Sequence, residues 1–143
     1  MDALNRLFVA AKAAQARAYA PYSGFPVGAA VLTESGEIFA GCNVENAASP
    51  NGLCAESAAI AAMISGGGRR IAQALVVGGH AGPIAPCGAC RQRLMEFAID
   101  GAIIHLADAT GPRESRALAD LLPRAFGPAD IKASSQCEAP NDR

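Results

Sequence analysis

Hydrophobic and polar residues follow two different periods along the chain, one typical of helices and one of strands. From Asp2 to about Tyr19, apolar residues recur every three or four positions, which predicts an amphipathic helix that Pro21 ends. Two apolar runs follow, at 29–33 and 38–43, and the turn sequence Glu34-Ser-Gly36 joins them. This arrangement predicts a β-hairpin directly after the first helix.

The remainder of the pattern alternates helices with short apolar strands. Helices are predicted from about Cys54 to Ser65, from about Gly88 to Ala98, and over Leu118–Leu122. Strands are predicted over Ala74–Gly79 and Ala102–Leu106. Strands that alternate with helices indicate a layered α/β domain, with helices covering the faces of a central sheet. The opening hairpin makes that sheet mixed.

Composition and charge narrow the class of protein. The 143 residues include 51% hydrophobic and 17% charged side chains, enough apolar material for one folded core. A formal net charge of −1 argues against nucleic acid as a partner. No apolar run is long enough to span a membrane, and the amphipathic N-terminus is unlike a signal peptide. We therefore expect a single cytoplasmic domain over residues 1–132, with a flexible tail at 133–143.

The cysteines carry the sharpest chemical signal. There are five, and no export signal accompanies them, which favours metal binding or catalysis over disulfides. Cys87 and Cys90 lie three apart at the start of one predicted helix, so both sulfurs point the same way and can bind one Zn²⁺. Cys54 opens another helix, and three thiolates leave one zinc position open, as in catalytic sites. Glu56 stands nearby as a carboxylate that can transfer protons. The alternative is that the cysteines are small core residues on an apolar helix face.

Several motifs resemble those of one known family. Cys54-Ala-Glu and Pro86-Cys-Gly-Ala-Cys-Arg-Gln form a pair similar to the signature of the small, homotetrameric cytidine deaminases. The segments at 22–30, 43–46 and 121–128 match further family motifs in the same order. The resemblance implies a three-layer α/β/α sandwich with a mixed, about five-stranded sheet. It also implies hydrolytic deamination of cytidine and 2′-deoxycytidine by a homotetramer with shared active sites.

The resemblance also implies roles for individual residues. Cys54, Cys87 and Cys90 would bind one zinc ion per chain, which activates the water that attacks C4 of cytosine. Glu56 would move the proton, first to N3 of the ring and then to the departing ammonia. By the same resemblance, Asn43 and Glu45 would bind the ribose hydroxyls. Phe25 would line the pyrimidine pocket, and Ala55 would contact the edge of the base. Phe126 would reach into the pocket of a neighbouring subunit.

Two departures from the family pattern bear on these roles. Relatives usually have an arginine after Cys-Ala-Glu that offsets thiolate charge, whereas this chain has Ser57. We therefore expect the positive N-terminal ends of the two helices, together with Arg91, to supply the compensation. Ser49 and Pro50 stand where relatives commonly have a tyrosine near the 5′ end of the sugar.

Three other functions remain as alternatives at this stage. The first is deamination of a modified cytosine nucleoside such as blasticidin S, whose deaminases share both cysteine motifs. The second is a structural zinc module, which requires a fourth protein ligand. The third is a deaminase that edits nucleic acid, which requires a basic groove that a chain with this net charge lacks.

Overall fold

Five strands form one mixed sheet. The computed structural model describes residues 1–79 and 81–131, so the expected tail at 133–143 lies outside the described residues. The strand order is β2-β1-β3-β4-β5, with β3 and β4 parallel and the other neighbouring pairs antiparallel. No helix within the described residues is long and apolar enough to cross a membrane. In chain order the elements are α1 (Ala3–Gln15), β1 (Gly28–Thr33), β2 (Ile38–Cys42), a 3₁₀ turn (Ser49–Asn51), α2 (Ala55–Ser65), β3 (Ile71–Val77), α3 (Gly88–Phe97), β4 (Ala98–Asp108), β5 (Gly111–Ala117), α4 (Leu118–Leu121) and α5 (Pro128–Ile131).

Alternate residues of the central strands pack against opposite layers of helix. Ala29 and Val31 of β1 belong to the core that includes residues of α2 and α3. Ala30 and Leu32 of the same strand belong to the core formed with α1. This period of two is what a strand covered on both faces requires. The predicted three-layer α/β/α sandwich with a mixed five-stranded sheet is thus confirmed.

The first helix is shorter than its periodicity predicts. It ends at Gln15 rather than about Tyr19. Tyr19 instead pairs with the segment after β2: its backbone N–H donates to the carbonyl of Asn43, and its carbonyl accepts from the N–H of Glu45. These bonds replace the helical ones and bring the chain beside residues 43–45, close to the candidate site.

The strands of the second half also differ from their predicted limits. β3 runs over Ile71–Val77 rather than Ala74–Gly79, and β4 over Ala98–Asp108 rather than Ala102–Leu106. β5 and α5 were not predicted. β5 contains a proline and has exposed residues at Arg113, Ser115 and Arg116, as expected of an edge strand that pairs on one side alone.

Close packing between β2 and α2 sets the position of the second helix. A Cβ atom built on Gly41 would lie 2.4 Å from the backbone nitrogen of Ala59, so any larger side chain would push α2 away from the sheet. The absence of a side chain at Gly41 lets the helix backbone approach the strand directly. The N-terminal end of α2 is therefore fixed relative to the sheet.

His105 is a buried structural residue, as its place in an apolar strand predicts. Its Nδ1 lies 2.7 Å from Ser115 Oγ and its Nε2 lies 2.8 Å from Gln73 Oε1, so both ring nitrogens have partners on neighbouring strands. Burial lowers the pKa of the imidazole. The neutral ring thus links β3, β4 and β5 and is not available as a metal ligand.

Candidate metal centre and active site

The N-terminal ends of α2 and α3 meet on one face of the sheet. Cys54 is the N-cap residue of α2, Cys87 is the N-cap residue of α3, and Cys90 lies in the first turn of α3. Neither cap side chain accepts a hydrogen bond in the usual capping manner. The three Sγ atoms lie within 4.8 Å of one another and form what we call the cysteine cluster. The geometry brings together all three residues that the sequence predicts as metal ligands.

The three thiols differ in their electrostatic surroundings. Burial raises the pKa of Cys54 and of Cys90, and the nearby Glu56 carboxylate raises that of Cys90 further. Partial burial also opposes ionisation of Cys87, but its pKa is lowered because the backbone N–H and the side chain of Cys90 donate to its sulfur. A helix N-terminus favours a thiolate in the same way. A divalent cation bound here would displace the remaining thiol protons.

The donor set of the cysteine cluster fits zinc. Tetrahedral zinc with bonds of about 2.3 Å to sulfur places two thiolates about 3.8 Å apart, which is compatible with three Sγ atoms that lie within 4.8 Å of one another. Thiolates are the ligands that zinc prefers, and among the described residues the cluster contains three metal-binding side chains rather than four. Three protein ligands are typical of a catalytic zinc site, in which the fourth position takes water or substrate.

Glu56 lies beside the cysteine cluster. It is 7% exposed, in the first turn of α2, and its carboxylate is within hydrogen-bonding reach of the Cys90 thiol. A carboxylate is acceptor-only when ionised and gains a donor when protonated. Placed next to the open side of a metal site, it can take a proton from one atom and return it to another. This is the position that the sequence prediction gives to Glu56.

A cavity of about 780 Å³ opens directly onto the cluster. Its volume falls within the range of about 300–1,000 Å³ that is usual for small-molecule sites. Cys54, Ala55, Glu56 and Cys87 lie on one side of the cavity, and Ser49 lies on its wall. The cavity is thus large enough for a nucleoside, and the position where relatives have a tyrosine does reach it.

Asn43 and Glu45 line the cavity and also hold the loop at 22–27. Asn43 Oδ1 accepts from the N–H of Val27 at 2.8 Å, and its Nδ2 donates to the carbonyl of Phe25 at 3.0 Å. Glu45 accepts from the hydroxyl of Ser23 and from the N–H groups of Ser23 and Tyr22. These bonds, that of the Ser23 hydroxyl first, lower the pKa of Glu45 and keep it ionised at neutral pH.

Of the other predicted contacts, Ala55 lies at the cavity and the two phenylalanines do not. Among the described residues, neither Phe25 nor Phe126 is part of the cavity lining. Phe25 is partly buried in the loop at 22–27, while Phe126 is 59% exposed and its carbonyl accepts from Gln92 Nε2 at 2.9 Å. An outward-facing Phe126 agrees with its predicted use by another subunit, which stays a prediction.

Sequence reasoning missed several residues of the cavity wall. Ile84 is among them, and it packs so tightly on Gly78 that a Cβ there would lie 2.8 Å from its Cδ1. The signal available was the apolar residue between Pro83 and Pro86, just before the second cysteine motif. The other missed members of the wall include Tyr22, Ser23, Val27, Val44 and Leu53.

Two hydrogen bonds of Arg91 go to backbone carbonyls, and its expected role in charge compensation stays a prediction. Arg91 Nε donates to the carbonyl of Pro86 at 2.8 Å, and its Nη1 donates to that of Leu121 at 2.9 Å. The guanidinium therefore ties the start of α3 to α4. A different residue, Arg93, reaches the cysteine cluster, with Nη1 3.7 Å from Cys90 Sγ.

Comparison with known proteins identifies a consistent set of relatives. Residues 1–106 match the family described as the cytidine and deoxycytidylate deaminase zinc-binding region. The cytidine deaminase of Sporosarcina psychrophila is 41% identical over 133 residues, 93% of this chain and 98% of that protein. The crystal structure of cytidine deaminase from Burkholderia pseudomallei superposes with a TM-score of 0.81 at 45% identity, covering 88% of this chain and 100% of the other. That of Mycobacterium tuberculosis gives 0.76 at 43% identity, covering 89% and 99%.

Proposed function

The chain belongs to the cytidine and deoxycytidylate deaminase family of zinc-dependent hydrolases, and we propose that it converts cytidine and 2′-deoxycytidine to uridine and 2′-deoxyuridine with release of ammonia. One observation carries this proposal most strongly. A buried carboxylate, Glu56, lies beside a cluster of three cysteines, and Glu56, Cys54 and Cys87 line a cavity large enough for a nucleoside. This is the machinery that hydrolytic removal of an exocyclic amine needs.

Each site residue then has a distinct task. Cys54, Cys87 and Cys90 would hold one zinc ion, which when bound supplies an activated water at the position the thiolates leave open. Glu56 accepts one proton from the attacking water and delivers it to N3 of the base, and it then takes the second proton from the hydroxyl now bonded to C4 and passes it to the departing amine, which leaves as ammonia. Ala55 lies at the cavity beside Glu56, where its backbone can meet the edge of the base.

Turnover of cytidine tests the proposed function directly. We expect the zinc-loaded protein to convert cytidine to uridine with release of one ammonia per uridine, followed by the ultraviolet change of the base. Blasticidin S serves as the competing substrate in a parallel assay. Conversion of blasticidin S but not of cytidine would contradict the proposal, as would one zinc per chain without ammonia release from either compound.

Asn43 and Glu45 are proposed to bind the ribose hydroxyls. Both line the cavity, and an ionised carboxylate beside an amide offers the acceptors and donors that hydroxyl groups need. Their bonds to the loop at 22–27 fix the direction of both side chains. Kinetics with a substrate that lacks these hydroxyls can therefore distinguish the proposed ribose contacts from the contacts with the loop.

We expect Glu45→Gln to raise KM for cytidine about tenfold or more, because a hydrogen bond to a charged group contributes about 1.5–3 kcal/mol. The same variant should change KM much less for 2′,3′-dideoxycytidine, which lacks the 2′- and 3′-hydroxyls. Steady-state kinetics of both proteins with both substrates provide the comparison. An equal loss with the two substrates would show that Glu45 acts by holding the loop, and the ribose assignment would then be wrong.

We also propose that the enzyme works as a cytoplasmic homotetramer. Tyr19, Val44 and Leu53 are more than 40% exposed beside the cavity, and backbone bridges join Val44 to each of the other two. Exposed apolar residues grouped in this way are typical of subunit contacts, and Phe126 adds another.

A cluster of reduced thiols requires a reducing compartment, which supports the cytoplasmic location. Light scattering and cell fractionation test the two statements, and a monomer or an exported protein would contradict them.

A further inference from the structure

Arg93 places a permanent positive charge at the cysteine cluster. Its Nη1 lies 3.7 Å from Cys90 Sγ, and the two residues lie three apart on α3, where side chains are neighbours. Arg93 is exposed while Cys90 is completely buried. The guanidinium thus stays in contact with solvent while one of its nitrogens reaches a sulfur that water does not reach.

The charges around the proposed metal site are stabilised by a nearby positive group. Three thiolates and one Zn²⁺ sum to a net charge of −1. Surplus negative charge in a partly buried site is unfavourable unless a cation or hydrogen-bond donors offset it. The N-terminal ends of α2 and α3 supply partial positive charge, equivalent to about half a unit each. A full positive charge at a ligand sulfur adds to this partial compensation.

The neighbouring candidates for this compensation are engaged elsewhere or are uncharged. Ser57 Oγ is buried and, within the described residues, has no hydrogen-bond partner, so it does not donate to a thiolate. Arg91 donates from Nε and Nη1 to the backbone carbonyls of Pro86 and Leu121 rather than to a sulfur. We propose that Arg93 is a positioning residue that stabilises the zinc site by offsetting thiolate charge through Cys90. This inference rests on the proposed assignment of the cysteine cluster as the zinc ligands.

Zinc affinity of the full chain tests this role. We expect Arg93→Gln to raise the dissociation constant for zinc about tenfold, since residues that contact metal ligands typically contribute 10- to 100-fold to metal affinity. Arg93→Lys keeps the charge and should remain within about threefold of the wild type. Arg70→Gln is the matched control, because Arg70 is exposed in the connection between α2 and β3 and its loss changes net charge equally. Competition with a chromogenic zinc chelator gives all four constants.

The outcomes separate the inference from the function on which it rests. A wild-type protein that binds no zinc would contradict the ligand assignment itself. One zinc per wild-type chain with an Arg93→Gln constant within about twofold would overturn the role of Arg93 alone. Absorption of the cobalt-substituted variants supplies a second measurement. Unchanged thiolate-to-cobalt bands in Arg93→Gln support an effect of charge, whereas their loss would show a disturbed ligand set and would also overturn the inference.

Discussion

Glu56→Gln is expected to lower kcat for cytidine by about 10²–10⁴-fold while zinc remains bound at one ion per chain. The amide has nearly the shape of the carboxylate but cannot accept and return a proton at neutral pH. Because the amide has this similar shape, we expect the substitution to leave the packing around the buried side chain, which is 7% exposed in the first turn of α2, largely unchanged. Steady-state kinetics and metal analysis of the same preparation provide the two measurements.

A matched glutamate makes this result specific. Glu96 is exposed near the C-terminal end of α3, away from the helix end that carries Cys87 and Cys90. Glu96→Gln should retain kcat within about twofold, because surface substitutions of this kind are close to neutral. If Glu56→Gln kept near wild-type turnover, or if it lost zinc along with activity, Glu56 could not be assigned as the proton carrier.

Cys87→Ala is expected to abolish both zinc binding and deamination, with a fall in activity of at least about 100-fold. Zinc lowers the pKa of bound water to near neutrality, and that effect is lost with the metal. Cys87 is exposed at the N-cap of α3, so removing its sulfur creates no cavity in the core. Metal content, together with cytidine turnover in the presence of added zinc, provides the measurement.

Cys42 offers the matched control for this substitution. It is a partly buried cysteine at the end of β2 and does not belong to the cysteine cluster. Cys42→Ala should keep one zinc per chain and near wild-type kcat. A Cys87→Ala protein that still carried stoichiometric zinc and turned over cytidine would show that the cluster is not the metal site. Equal loss in both variants would point instead to a general effect of removing cysteines.

The metal centre was predictable from sequence because its spacing is tied to helix geometry. Cys87 and Cys90 lie one helical turn apart, and Cys54 and Glu56 begin the other helix, so few side-chain arrangements are open to them. The partners of the arginines were not predictable in this way. Arg91 is held by the carbonyl of Leu121, thirty residues further along the chain, and such a contact exists only once the tertiary fold has formed.

The fold shows the same division between local and distant causes. The hairpin of β1 and β2 and the helices α2 and α3 have strong local signals, namely apolar runs, turn residues and the glycines that end α2. β5 has none, because an edge strand with exposed arginine and glutamate side chains lacks an apolar pattern. The early end of α1 likewise depends on pairing of Tyr19 with Val44, in the segment after β2.

The distribution of the three cysteines over two helices affects the order in which they bind the metal ion during folding. Cys87 and Cys90 share one helical turn and can capture a metal ion as soon as that turn exists. Cys54 reaches them only after α2 has settled on the hairpin, against the bare backbone at Gly41. A full-length chain that refolds in the presence of zinc would therefore bind the ion weakly through two thiolates first, and binding of the third would both raise the affinity and link the two helices.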